Sequence, residues 1–292
     1  FNPEYIRQNK VKTITLDIVD KPDGAVIIDK NATQGYEFDS IGRLVRYYYT
    51  ILSKTESQEM MVPPIIKRGK VVRAGSTKTI TQFVNDTIFV NVFYDDQNQV
   101  ISKRVKTGDF YGAYYYEYND KHQLKKAIHF KERNVSENKR EFKLGVQSVL
   151  SSERFEYTIL TPSQLKKSCL NDEGREYKKA IINYDPRGNK ISESYEFIVS
   201  WMRQESNYVY DENNRLINKM FRSNENGEEK TYSLFTYGEK NTLLTEQKYK
   251  GDQLTNEISY LYDGANVLVK SHVNRDFKNA SIGIVKYSYS FY

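Results

Sequence analysis

Apolar and polar residues alternate with a period of two along most of this chain, in short runs separated by polar turns, which is the pattern of half-buried β-strands. The clearest unit is YVYDENNRLINK (208–219): aromatic, any, aromatic, Asp, two polar residues, Asn, any, Leu. The same frame recurs as YEFDSIGRL (36–44), VFYDDQNQV (92–100), YEYNDKHQL (116–124), FTYGEKNTL (235–243) and YLYDGANVL (260–268). Two looser copies are INYDPRGNKI (182–191) and SCLNDEGREY (168–177). Each copy predicts a strand, a tight turn and a returning strand.

Four residues after the second aromatic position the copies carry Gly42, Asn98, His122, Gly174, Gly188, Asn214, Asn241 and Asn266. All are residue types that tolerate positive φ, as a hairpin built on a type I turn plus a left-handed residue requires. Asp or Asn opens the turn at Asp39, Asp95, Asn119, Asn171, Asp185, Asp211 and Asp263, with Gly238 the exception. Such side chains bond backbone N–H groups ahead of them and close the turn.

Outside the copies, residues 11–29 alternate around Lys21-Pro22-Asp23-Gly24 and predict a hairpin that caps the array. The pattern lapses over 53–75, where Val62-Pro63-Pro64 cannot sit in a central strand, while 65–72 can form one more hairpin around Arg68-Gly69. The anchors Phe38 and Tyr94 lie 56 residues apart, about two repeat lengths, so a degenerate copy is expected between them. Later anchors are spaced by 24 (Tyr94 to Tyr118), 26 (Tyr184 to Tyr210), 27 (Tyr210 to Tyr237) and 25 residues (Tyr237 to Tyr262), one up-and-down hairpin each. A short helix fits 136–142, and Tyr287, Tyr289 and Phe291 share one face of a closing strand. The expected fold is all-β, an antiparallel meander of repeated hairpins forming an open, twisted or coiled array. Residues 1–90 form an N-terminal β region with one clear repeat and a Pro-containing loop, and 91–292 the hairpin array.

Composition narrows this further. Only 38% of the residues are hydrophobic while Tyr contributes 25 and Phe 14, which suits a thin aromatic sheet with a wet face. No apolar run approaches the roughly 18 to 20 residues of a membrane helix. Cys169 stands alone, excluding an internal disulfide and a cysteine metal site. The net charge of +6 is concentrated: Lys and Arg against Asp and Glu number 13 to 12 over 1–100, 17 to 11 over 101–180 and 14 to 15 over the rest. The middle surplus, which includes Lys125 and Lys126, reads as a solvated strand face or as a docking patch for an anionic glycan, a lipid headgroup surface or nucleic acid.

YEFDSIGRL and YVYDENNRL resemble the YD repeat of the bacterial rearrangement-hotspot and teneurin-type proteins, Tyr-x-Tyr-Asp-x-x-Gly-Arg-Leu. Gly42, Arg43 and Leu44 match it fully; Arg215 and Leu216 match behind an Asn. The resemblance implies a secreted or surface-located ribbon of hairpins. The chain is too short for the closed shell of the large members and lacks their terminal core signature and any appended toxin.

No Gly-rich phosphate loop, His-Glu-x-x-His or Gly-x-Ser-x-Gly is present, and neither a metal nor a cofactor is expected. His122 occupies a turn position, and His129 and His272 lie in strands without a carboxylate at metal-ligand spacing. The remaining candidates for ligand binding are Tyr48, Tyr114, Tyr115, Lys125, Lys126 and Trp201. The tyrosines belong to consecutive runs that reach both faces of a strand, and Trp201 is placed two strands' length from a turn. Against this stands their ordinary use in sheet packing. The leading expectation is a non-enzymatic envelope or secreted protein, its signal peptide already removed, which binds an anionic or neutral glycan or another envelope protein. It implies no specific nucleic-acid binding and at most peripheral membrane contact. The alternatives are an outer-membrane β-barrel and a glycan-active enzyme.

Overall fold

The computed structural model describes residues 3–62, 65–67, 70–73, 76–107, 110–137, 142–264 and 268–292, with side chains described outside 30, 52–85 and 107. Residues 138–141, within the segment expected to suit a short helix, and Asn266 lie outside the described residues, as do Pro63, Pro64, Arg68 and Gly69. A helix α1 (Pro3–Gln8) precedes β1 (Val11–Pro22), β2 (Ile28–Phe38), β3 (Leu44–Val62), β4 (Ile65–Lys67), β5 (Lys70–Arg73), β6 (Ser76–Tyr94), β7 (Val100–Thr107), β8 (Phe110–Tyr118), β9 (Leu124–Asn134) and β10 (Leu144–Thr161). Then follow β11 (Gln164–Leu170), β12 (Glu176–Tyr184), β13 (Lys190–Phe197), β14 (Arg203–Tyr210), β15 (Leu216–Ser223), β16 (Glu229–Tyr237), β17 (Leu243–Lys250), β18 (Gln253–Tyr262), β19 (Val269–Asp276) and β20 (Ser281–Phe291).

Eighteen strands form one antiparallel meander, and β4 and β5 pair separately. β1 pairs with β2 along one edge and with β20 along the other, so the meander closes on itself as a β-barrel. This corrects the open array, and it corrects the hairpin 11–29 as an end cap: the first and last strands are each other's partners. The expected extra copy between Phe38 and Tyr94 is also corrected. β3 and β6 are 19 residues each and pair almost throughout, well past the short stretches that β2 and β7 contact. The ring steps at β10, whose residues 144–154 pair with β9 and 154–161 with β11. The sheet runs without interruption through position 90.

Because side chains alternate, each strand feeds two faces. The register sets Ile14, Leu16 and Ile18 beside Tyr289, Tyr287 and Val285 on one side and beside Tyr36, Gln34 and Ala32 on the other. Followed round the ring, this face also collects the buried Phe38, Val90, Phe155, Cys169, Ala180 and Ile182. On β20 Val285, Tyr287 and Tyr289 are covered while Lys286, Ser288 and Ser290 between them are exposed. Side chains converge on the inside of a curved single layer and splay on its outside, so the aromatic face is concave and lines the lumen. At about 4.8 Å per strand the perimeter is roughly 86 Å, and barrels of about this strand number enclose an aqueous channel.

α1 escaped the sequence pattern because six residues show too little of a helical period. Its Ile6 is 2% exposed and joins Val11, Ile14 and Phe38 at the rim. Burying such a side chain stabilises by about 1.5–3 kcal/mol.

Candidate functional site

The repeated turn is built the same way in seven copies, while in the copy at 260–268 the Asp263 N–H donates to Leu268 O, one residue further on. Gly42 N–H donates to Asp39 O (2.9 Å) and Asp39 N–H to Arg43 O (2.9 Å), and equivalent pairs close the turns at Asp95, Asn119, Asn171, Asp185, Asp211 and Gly238. The Asp39 carboxylate accepts from the backbone N–H of Ile41 and Arg43, as Asp95 does from Gln97 and Gln99. Gly42, Asn98, His122, Gly174, Gly188, Asn214 and Asn241 have φ between 58° and 86°. A register shift just before the second aromatic accompanies these turns, as a left-handed bulge requires.

In five copies the second tyrosine ties neighbouring hairpins together. Its hydroxyl donates to the carbonyl at the start of the strand leaving the preceding turn: Tyr94 to Leu44 (2.9 Å), Tyr118 to Val100 (2.9 Å), Tyr210 to Lys190 (3.2 Å), Tyr237 to Leu216 (2.9 Å) and Tyr262 to Leu243 (2.7 Å). Tyr157 and Tyr289 do the same without an adjacent Asp, and Tyr292 reaches Phe38 O. Arg43 and Arg215 play matching parts. Each bonds its own turn Asp, lies 4.9 Å from the next copy's tyrosine ring and donates to the next turn's Asn, Asn98 or Asn241. Backbone and side-chain donation from Arg215 holds the Asp211 carboxyl below the usual carboxylate range. Tyrosine, Asp, Arg and Asn are therefore framework residues here.

No protein-family model matches the chain, and no curated protein matches it in sequence. Solved structures do. A porin-like protein from Bacteroides uniformis is 13% identical, with 97% of each chain covered and a TM-score of 0.40. A porin-like protein from Bacteroides vulgatus is 10% identical over 72% of this chain and 94% of that one, with a TM-score of 0.29. The Tc holotoxin pore of Photorhabdus luminescens is 10% identical over 85% of this chain and 15% of that one, at 0.18. Likenesses this loose carry no functional argument, and the barrel stands on its own strand pairings.

The six sequence candidates do not converge. Tyr48 lies on the convex face, flat over Gly35, where a Cβ would meet its ring at 2.3 Å. Tyr114 faces the lumen and stacks on His129, centroids 4.1 Å apart at 4°. Tyr115 returns to the convex face, donating to Glu132 (2.7 Å) and accepting from Arg104 (2.5 Å). Glu132 is fully buried and also bonded by Arg104 and Gln147, a satisfied structural network. Lys126 is convex, opposite Glu117 and Arg154, and Lys125 is exposed beside it. Trp201 is not two strands from a turn: it stands in the β13–β14 turn itself, 75% exposed with φ of 56°.

The lumen holds what the sequence did not separate. On the convex face Arg104, Lys166 and Lys179 are paired with Glu132, Glu176 and Glu196. On the concave face Lys178, Lys190 and Lys248 are paired with Glu153, Glu193 and Glu246. Lys103, Lys131 and Lys167, concave residues of β7, β9 and β11, have no carboxylate at ion-pair distance among the described residues. Each instead lies over a ring, Tyr47 (5.7 Å), Phe110 (4.0 Å) and Phe155 (4.2 Å). Among the described residues no three His, Cys, Asp or Glu side chains gather to hold a metal.

Proposed function

We propose that the chain is a closed, water-filled β-barrel of the bacterial cell envelope that stands in an aqueous compartment and binds through its lumen without catalysing a reaction. The observation that carries the aqueous setting is charge on both faces of the strands, at mid-strand at Lys179 and Glu257 and nearer the strand ends elsewhere. Convex Arg46, Lys179, Glu196, Arg222, Glu257 and Arg275 would meet lipid if the barrel spanned a bilayer. A lipid-facing Lys or Arg costs about 2–4 kcal/mol at the midplane and about 0–1 near the interfaces, so these charges weigh against the apolar gain from exposed convex Phe93, Val209 and Leu261. Strand length is divided: β13, β14, β15, β17 and β19 have 8 residues each, below the roughly 9–11 of a membrane-crossing strand, while β1, β2, β9, β18 and β20 have 12, 11, 11, 10 and 11. The envelope setting rests on the YD-repeat resemblance of the hairpins.

The outer-membrane barrel is the second reading, and closure itself favours it: eighteen antiparallel strands in nearest-neighbour order are what such barrels use. Detergent dependence separates the two. Purified without detergent, the aqueous barrel runs as a monodisperse species and stays in the aqueous phase of a detergent phase separation. Aggregation relieved only by detergent or lipid would establish the membrane barrel instead.

A further inference from the structure

We infer that the lumen wall formed by β7 to β11 is a binding surface for an acidic polysaccharide, one bearing carboxylate or sulfate groups along its length. The inference rests on the lumen-binding part of the function proposed above and is independent of whether the barrel stands in water or in a membrane. Three facts carry it. Of the basic residues of 101–180, outward-pointing Arg104, Lys166 and Lys179 and inward-pointing Lys178 are paired with glutamates. Inward-pointing Lys103, Lys131 and Lys167 have no carboxylate at ion-pair distance among the described residues, Lys167 acting on Glu193 only at longer range, and they stand in a concavity where field lines are focused. They recur on alternate strands of one wall, each ammonium held over an aromatic ring, which fixes its position without cancelling its charge.

The same geometry selects among polyanions. Single-stranded nucleic acid binds through bases stacked on free ring faces. Here Tyr47, Phe110 and Phe155 are capped by lysines, and Tyr114 is covered by His129. What the wall offers is spaced positive charge beside the half-buried tyrosines Tyr114 and Tyr116, which matches a chain of charged, hydroxyl-rich sugars.

The test titrates the full chain with fluorescently labelled alginate, heparin, neutral dextran and a single-stranded oligonucleotide at low salt and at about 0.15 M, where the Debye length is near 8 Å. Two triple variants are compared after thermal melts: K103Q/K131Q/K167Q inside, and K106Q/K126Q/K286Q outside. The expected result is alginate or heparin binding that weakens with salt, no dextran binding, a loss of about tenfold or more for the inner triple and less than about twofold for the outer one. Should the inner triple fail to fold, K103R/K131R/K167R keeps the charge and must bind like the parent. Equal losses in both triples, or no polyanion binding at all, overturn the inference while leaving the aqueous barrel intact. Tighter binding of the oligonucleotide than of alginate overturns it in favour of nucleic acid.

Discussion

Gly42 and Gly188 occupy the same turn position with nearly the same φ, +86° and +84°, yet their surroundings differ. A Cβ on Gly188 meets nothing within 4 Å, whereas one on Gly42 falls 2.6 Å from Pro3 O and 3.0 Å from Arg7 N, both backbone atoms of α1. Alanine at either site incurs the left-handed cost of about 1–2 kcal/mol. At Gly42 the helix must also move away, and the exposure of Ile6 adds up to about 1.5–3 kcal/mol. G188A should therefore destabilise by about 1–2 kcal/mol and G42A by about 3–4, measured by chemical denaturation. Hydrogen exchange should show residues 3–9 deprotected in G42A alone. Equal destabilisation, or retained protection of α1 in G42A, would refute the docking of the helix on this turn.

Gly35→Ala should cost about 1–2 kcal/mol by displacing Tyr48 from Phe89, its aromatic neighbour at 5.7 Å, and G35A/Y48A should cost less than the two single changes summed. Tyr237→Phe removes the bond to Leu216 O and should lower stability by about 0.5–1.5 kcal/mol, while Tyr232→Phe, whose ring stacks on Tyr249, should be near neutral; equal effects would deny the hydroxyl tie its role. Burial pushes the His272 pKa down, and its Nδ1 sits 2.9 Å from Tyr287 Oη. The unfolded chain then binds the proton more readily, so stability falls as pH drops through the ordinary histidine range and is regained above it. His272→Gln should flatten that part of a pH–melting curve, and an unchanged slope would assign the acid sensitivity elsewhere.

The hairpin was legible because a left-handed turn position admits few residue types, and because alternation fixes which residues share a face. The reach of Arg43 to Asn98 and of Tyr94 to Leu44 was not, since both join residues of separate copies whose stagger is set by the assembled sheet. Closure was hidden for a related reason. Ile14, Leu16 and Ile18 alternate as any strand does, and nothing in that alternation says that Tyr289, Tyr287 and Val285 fill the other edge. The lysines of 101–180 looked like one patch along the chain. Neutralisation depends on cross-strand register, which pairs Lys179 with Glu196 outside and leaves Lys103 unpaired inside.

Closure between the first and last strands is the claim on which the lumen, its lysines and the proposed function depend. Thr13 and Ser290 face each other across that seam, their hydroxyls 2.6 Å apart. In T13C/S290C, oxidation should give an intramolecular disulfide in the monomer, with Cys169 left out because it is fully buried and burial raises its thiol pKa. Closing so long a loop should raise the melting point, by up to about 5 kcal/mol of stability in the chain-entropy account. Thiols at positions 13 and 290 left free after oxidation, or cross-linking only between molecules, would contradict a closed barrel.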